Sequence, residues 1–247
     1  LKTDPAKKLN IAILGYGRMG KEVEKIAMER GHDVVLSFDS QEDWEKYGPQ
    51  LKFCDVAVEF SQPDAVVHNL QRCFEAGIPV VTGTTGWQDE LEGVRAACLH
   101  ANGTLFYAAN YSISVNIFFE INKMLAQLMN PYPEYEVDIE EVHHLNKLDS
   151  PSGTAIVLAS EIIHFMDRKE KWTGQGRTQE AELEIRSVRE ENITGTHIVT
   201  YDSPIDAIEI KHTAKNRKAF AMGAVQAAEW VIGKKGVFQM KDMLGLK

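Results

Sequence analysis

Between Glu141 and Ala155 the chain reads EVHHLNKLDSPSGTA, which sets two adjacent imidazoles, an ammonium and a run of small residues within one short segment. An imidazole exchanges protons near neutral pH, and Lys147, four positions beyond His143, adds a fixed positive charge, so the pair suits acid–base work on an anion. Pro151-Ser152-Gly153-Thr154 then leads into the apolar periodic run Ile156, Val157, Ala159, Ile162 and Ile163, which marks a helix start. The unsatisfied N–H groups of a first helical turn hold carboxylates, so Ser152, Gly153 and Thr154 are candidate binding residues. The competing account makes His143, His144 and Lys147 solvated polar residues between a strand and a helix. A metal centre is not expected: Glu140, Glu141, His143 and His144 alternate between the two faces of a strand and cannot all converge, and HExxH spacing is absent.

A second group of residues carries binding chemistry. Gly15-Tyr16-Gly17-Arg18-Met19-Gly20 follows the apolar run Asn10-Ile11-Ala12-Ile13-Leu14, and GxGxxG at that place lets the backbone turn tightly and approach a pyrophosphate. The next apolar run, from Val34 to Phe38, ends at Asp39, 19 positions after Gly20 and about where a ribose-binding acid falls. Asp39 can accept hydrogen bonds from both ribose hydroxyls of NAD and would repel the extra phosphate of NADP, and no Arg follows it, so NADH is the favoured cofactor, with NADPH as the alternative. Gly83-Thr84-Thr85-Gly86 lies at the carboxyl edge of another strand, with hydroxyls and unhindered amides suited to the nicotinamide half. Ala108-Ala109-Asn110-Tyr111-Ser112 ends a further strand at a domain crossing, where an amide and an aromatic ring can contact cofactor and substrate or simply form a hinge turn.

These residues need elements to hold them. Apolar runs at Val56 to Phe60, Pro79 to Thr82 and Thr104 to Ala108, with helical stretches between, give a parallel, doubly wound sheet. After Asn110 the rhythm changes. A strongly apolar helix from Ser114 to Met129 stops at Pro131, strand-like alternation runs from Tyr135 to Glu141, and further strands are expected at Leu183 to Val188 and Ala207 to Ile210. The expected fold class is therefore α/β, an N-terminal Rossmann dinucleotide-binding domain with a C-terminal α+β mixed-sheet domain. The last helix, Ala219 to Ile232, is expected to pack back on the first domain, which sets the boundaries at 1–112 with 219–247, and 113–218.

The chain of 247 residues is long enough for two domains, and a formal net charge of −9 with no Lys/Arg cluster argues against a nucleic-acid partner. An anionic substrate must therefore be held by local positive groups. There is no apolar run of membrane-spanning length and no secretory signal in the opening Leu1-Lys2-Thr3-Asp4-Pro5, and Cys54, Cys73 and Cys98 are odd in number and widely spaced. A cytoplasmic protein with reduced thiols is expected.

At this point the residues resemble a known family, the 4-hydroxy-tetrahydrodipicolinate (dihydrodipicolinate) reductases of bacterial lysine biosynthesis. The signature is similar to Ile139-x-Glu141-x-His143-xxx-Lys147-x-Asp149-x-Pro151-Ser152-Gly153-Thr154-Ala155, and the likeness continues through GYGRMG, EFSQP at Glu59 to Pro63, GTTGW at Gly83 to Trp87, AANYS at Ala108 to Ser112, and the segment from His212 to Trp230. Asp138 stands where the signature usually has Glu, and Leu145-Asn146 where many members carry Arg-His.

The resemblance implies a catalytic His143 with Lys147 as its partner, and substrate contacts at His144, Gly153 and Thr154. It implies cofactor contacts at Gly15, Tyr16, Gly17, Arg18 and Met19, at Asp39, at Gly83, Thr84 and Thr85, and at Ala108, Ala109, Asn110 and Tyr111. It further implies a dicarboxylate cyclic imine that loses water and takes a hydride at ring C4, domains that close on the ternary complex, and a homotetramer built through the second domain. Two other functions share part of this pattern. A dehydrogenase of another small carboxylic acid would keep the glycine turn without explaining HHxxK and PSGT, and a non-catalytic dinucleotide sensor would not require His143 and Lys147.

Overall fold

The computed structural model describes residues 8–174, 176–216 and 218–246, so residues 1–7 and 247 of the expected first domain lie outside the described residues. The chain divides into two compact units: one runs to Ile113 and resumes at Lys218, and the other occupies the stretch from Ser114.

In the first unit the apolar runs form β1 (Asn10–Leu14), β2 (Asp33–Phe38), β3 (Val56–Glu59), β4 (Val80–Thr82) and β5 (Thr104–Tyr107). Between and beside them lie α1 (Arg18–Glu29), α2 (Gln41–Tyr47), α3 (Val66–Ala76) and α4 (Leu91–His100). The period-two alternation of a strand sends Ile11, Ile13, Val56 and Val58 to one face and Ala12, Leu14 and Ala57 to the other, and both faces are covered. The first face packs on Val23, Ile26 and Ala27 of α1 and on the small residues Ala221, Ala224, Ala227 and Ala228 of a helix far along the chain. The second packs on Leu70, Cys73 and Phe74 of α3 and Val94 and Cys98 of α4.

The second unit begins within α5 (Ile113–Met129), at Ser114, and continues through β6 (Glu136–His143), α6 (Gly153–Phe165), β7 (Lys171–Thr173), β8 (Glu182–Arg189), β9 (Gly195–Asp202) and β10 (Ala207–Ala214). Its sheet has the order β10-β9-β6-β8-β7, with β6 parallel to β8 and antiparallel to β9. Val137, Ile139, Leu183, Ile185, Val199 and Tyr201 form one core with α5 and α6. Strand β9 was not expected from the sequence, because the turn residues Asn192 and Gly195 obscured a stretch whose odd positions His197, Val199 and Tyr201 are all turned inward. α6 supplies Ala155, Leu158, Ala159 and Ile162 to the same core as Phe118, Ala126 and Met129 of α5.

The chain re-enters the first unit as α7 (Lys218–Trp230), β11 (Gly236–Phe238) and α8 (Met240–Leu244). β11 adds to the parallel sheet beside β5, giving the order β11-β5-β4-β3-β1-β2. Three residues between glycine and a polar turn are too few to show periodicity, so this strand too is legible only in the fold.

Candidate active site

The glycine turn sits between β1 and α1, and its three glycines differ in what a side chain there would meet. Gly15 has φ of +89° and a Cβ there would lie 2.3 Å from the Phe60 carbonyl oxygen, while one on Gly20 would lie 2.2 Å from the oxygen of Gly15. A Cβ on Gly17 would meet nothing within 4 Å, so that residue opens the turn to a ligand. Gly17 is also the N-cap of α1, with no side-chain cap and no acidic residue in the first turn. An uncapped, acid-free helix start fits a pyrophosphate. Tyr16 N donates to Asp39 Oδ1 at 2.8 Å, which holds the acid at the end of β2 against the turn, where a ribose would follow a pyrophosphate. Arg18 is exposed and Met19 half-buried against the core.

The second strand-end turn is built on a buried acid. Glu59 accepts from the Thr82 hydroxyl at 2.6 Å and from Ser61 through both its amide and its hydroxyl, and the Ser61 amide also reaches Thr84 Oγ1 at 2.9 Å. Trp87 Nε1 donates to the Thr84 carbonyl at 2.7 Å. Gly83 is pressed against the Phe60 ring, Thr85 is exposed, Ala109 is exposed and Ala108 and Asn110 are half-buried. Tyr111 requires a correction. Its ring lies in the core beside Phe106, its hydroxyl donates to the Thr82 carbonyl at 2.6 Å, and Gly223 of α7 packs on its backbone. The side chain is a structural strut, so any cofactor contact at 111 falls to the backbone.

In the second unit the strand register assembles the chemistry. Glu141 of β6 pairs with Ser187 of β8 on one side and His197 of β9 on the other, and His143 pairs with Arg189. Glu141 and His143 are two residues apart and share a face. The Glu141 carboxylate is fully buried, accepts from Ser187 Oγ at 2.7 Å, and takes the Ser152 amide at 3.1 and 3.0 Å on its two oxygens. Burial pushes that carboxyl up, but the hydrogen bonds from Ser152 and Ser187 and the charge on His143 outweigh it and hold it below the ordinary range. His143 Nδ1 lies 3.5 Å from Glu141 Oε2, and the His143 and His197 rings meet edge to face at 5.0 Å. Burial lowers the His143 pKa against the pull of Glu141, and the charges of Lys147 and Arg189 lower it further. The His197 pKa falls to about 4, chiefly through burial and then through His143.

Ser152 is the N-cap of α6, and its hydroxyl accepts from Ala155 N at 3.2 Å and contacts His197 Nε2 at 3.0 Å. Both polar groups of Ser152 are thus committed inside the protein, which corrects its expected place as a substrate contact: it caps and positions. No acceptor among the described residues meets the amides of Gly153 and Thr154, and a Cβ at Gly153 would touch nothing within 4 Å. Those two N–H groups are open donors at a helix start, a place where anions are commonly held. Lys147 is not presented alone, since its ammonium bonds both oxygens of Asp149 at 2.8 Å and keeps the Asp149 carboxyl below its usual range. His144 is half-buried beside this turn, its carbonyl accepting from Lys147 N at 3.1 Å.

Three contributors were missed in the sequence. Arg189, which donates to the Asp149 carbonyl at 2.8 Å, and His197 come from strands distant in the chain, and Ser187 looked like an ordinary polar strand residue. The inward alternation of His197, Val199 and Tyr201 was the one signal that could have found β9. Glu141, His143 and His197 present ligand atoms within 4.8 Å of one another, so the register that sequence reasoning did not have makes them converge. The Glu141 oxygens already accept hydrogen bonds there, two from the Ser152 amide and one from the Ser187 hydroxyl.

A parallel sheet with a pyrophosphate-shaped glycine turn at its first strand, in a chain whose other unit gathers imidazole, ammonium and open helix-start amides, defines a nicotinamide-dependent oxidoreductase. Residues 9–111 match the family described as dihydrodipicolinate reductase, N-terminus, and residues 114–244 match dihydrodipicolinate reductase, C-terminus. The chain belongs to this family. It is 49% identical to the 4-hydroxy-tetrahydrodipicolinate reductase of Christiangramia forsetii, covering 96% of this chain and 98% of that one. It is 35% identical to the protein of the same name from Acinetobacter baumannii over 96% of both. Among solved structures, a dihydrodipicolinate reductase from Paenisporosarcina sp. TG-14 shares the fold with a TM-score of 0.74 at 21% identity, covering 96% of this chain and 100% of that chain. An amine dehydrogenase from Mycobacterium smegmatis shares the fold more distantly, with a TM-score of 0.53 at 13% identity over 95% of each.

Proposed function

We propose that this enzyme reduces 4-hydroxy-tetrahydrodipicolinate to tetrahydrodipicolinate with loss of water, in the diaminopimelate route to lysine, as a cytoplasmic homotetramer. The observation that carries the reading is the intact segment from His143 to Thr154, with its proton-exchanging imidazole, ammonium and two open amides, in a chain 49% identical over nearly its full length to a reductase of that name. The Paenisporosarcina relative is described as dipicolinate-bound, and dipicolinate is a flat dianion of the same carboxylate spacing.

The roles divide between the units. Residues 1–112 with 219–247 hold NADH or NADPH, which supplies the hydride, and 113–218 hold the substrate and the tetramer contacts. The Gly15–Met19 turn binds pyrophosphate at the start of α1, Asp39 binds the ribose, and the backbone at Gly83, Thr84 and Thr85 and from Ala108 to Tyr111 lines the nicotinamide half. Asp39 has Phe38 and Ser40 beside it and no adjacent cation, which favours NADH.

In the substrate, Gly153 N and Thr154 N hold one carboxylate, with Lys147 and His144 on the other. Hydride addition at C4 leaves an enamine that must gain a proton on carbon, and His143 gives it while Lys147 balances the charge that develops. Asp149 keeps Lys147 in place before substrate arrives. A coupled assay with freshly made condensation product of aspartate semialdehyde and pyruvate, run with each cofactor, tests the reading: neither cofactor being oxidised would overturn it.

A further inference from the structure

Glu141 is a buried carboxylate, and burying a charge is costly unless it is used. Part of its use is structural, because it holds the Ser152 amide and the Ser187 hydroxyl and lies 3.5 Å from Arg189 Nη2. Those bonds do not exhaust its position. Oε2 also faces the edge of the His143 ring, 3.5 Å from Nδ1, an ion-pair distance rather than a hydrogen bond, and no acceptor among the described residues hydrogen-bonds that buried nitrogen. The opposite edge of the ring is left clear in a particular way. A Cβ built on Gly195, the first residue of β9, would lie 3.0 Å from His143 Nε2, so only glycine leaves that nitrogen uncovered.

We propose that Glu141 is the positioning residue for His143: its carboxylate faces Nδ1 and keeps a proton there, which leaves Nε2, above the side-chain-free Gly195, as the nitrogen that passes a proton to the substrate. The inference rests on the role given to His143 above. The charged and titratable groups around the ring are Glu141 on its own strand, Lys147 and Asp149 from the following turn, Arg189 from the end of β8 and His197 from β9. Glu141 and Asp149 favour the imidazolium, whereas Lys147, Arg189 and His197 oppose it. Removing the Glu141 charge therefore makes His143 a poorer holder of its proton at neutral pH.

Glu141→Gln keeps the shape and the acceptor for Ser187 while abolishing the charge. Its kcat at pH 7.5 should fall about tenfold or more, and the high-pH limb of the kcat profile should move to lower pH by roughly half a unit or more. In the wild-type enzyme, nitrogen-15 spectra of histidine-labelled protein at pH 8, with the His143 signals assigned as those lost in His143→Gln, should show the neutral ring of His143 protonated on Nδ1. A ring protonated on Nε2, or an unmoved profile in a folded Glu141→Gln, overturns the proposal. If His143→Gln itself keeps normal turnover, the assignment of His143 fails instead, and the two failures are distinguishable.

Discussion

At the scale of single residues the site mixes groups that touch the reacting molecule with groups that hold them. His143→Gln should lower kcat by about two orders of magnitude or more with little change in substrate KM, the range expected when a positioned acid is removed. Lys147→Ala should damage both, because its ammonium is needed by the dianion before the reaction begins. Steady-state kinetics with saturating cofactor separate the two outcomes. His197 makes a stability prediction. Its folded pKa of about 4 lies below the ordinary value of 6.5, so the unfolded chain binds the proton first as pH falls. Stability from this residue is fully present above pH 6.5 and is lost as pH drops toward 4, by an amount on the order of 3 kcal/mol. His143, Glu141, His212 and Lys147 are the charges that act on it. Denaturant melts of the wild type should therefore weaken from pH 7 to 5, and His197→Gln should flatten that dependence. Equal slopes would mean that His197 titrates normally.

At the scale of elements, the start of α6 is the feature most open to a clean test. Gly153 is the first helical residue, and proline is well tolerated there because that N–H has no intrahelical partner. The preceding Ser152 already has φ −69° and ψ 156°, which a following proline accepts. Gly153→Pro should thus leave the melting temperature unchanged or raised, yet remove one donor to the substrate carboxylate. A hydrogen bond to a charged group contributes about 1.5–3 kcal/mol, so kcat/KM should fall roughly ten- to hundredfold. A variant as active as wild type would show that the carboxylate is held elsewhere. Most elements were legible in the sequence: β1 to β5 lie in apolar runs bounded by turn residues, and β6, α1, α5 and α7 show strand or helix periodicity. Strand β9 was not, because a chain segment bounded by glycine turns shows its register only against its neighbours. Losing β9 also hid His197, and with it the reason that Glu141 and His143 are buried.

At the scale of the whole molecule two properties depend on more than any one element. On the proposed reading Asp39, at the end of β2, meets the ribose, so kcat/KM should favour NADH or be similar for both, and a preference for NADPH above about tenfold, roughly 1.4 kcal/mol, would overturn that reading. Assembly depends on surfaces the second unit leaves open. β10 is an eight-residue edge strand with Ile208 exposed, and α5 carries Ile117, Ile121, Met124 and Leu128 on its uncovered side. A long edge strand and an apolar helical stripe are commonly covered by symmetric association. Light scattering at micromolar concentration should report about four chains, and a monomer would count against the tetramer.

The sequence alone determined the class of fold, the glycine turn with its acid at Asp39, and the placing of His143 and Lys147 just before a helix start. These are local patterns: periodicity, turn chemistry and spacing along one segment carry them without knowledge of what lies opposite. Only the tertiary structure decided which of those side chains are free to act. It turned Tyr111 and Ser152 inward as a strut and a cap, paired Lys147 with Asp149, and set Ser187, Glu141 and His197 in one rung across three strands. The physical reason is that strand register and burial are contacts between segments far apart in the chain, and a residue's neighbours in sequence carry no record of its neighbours across the sheet.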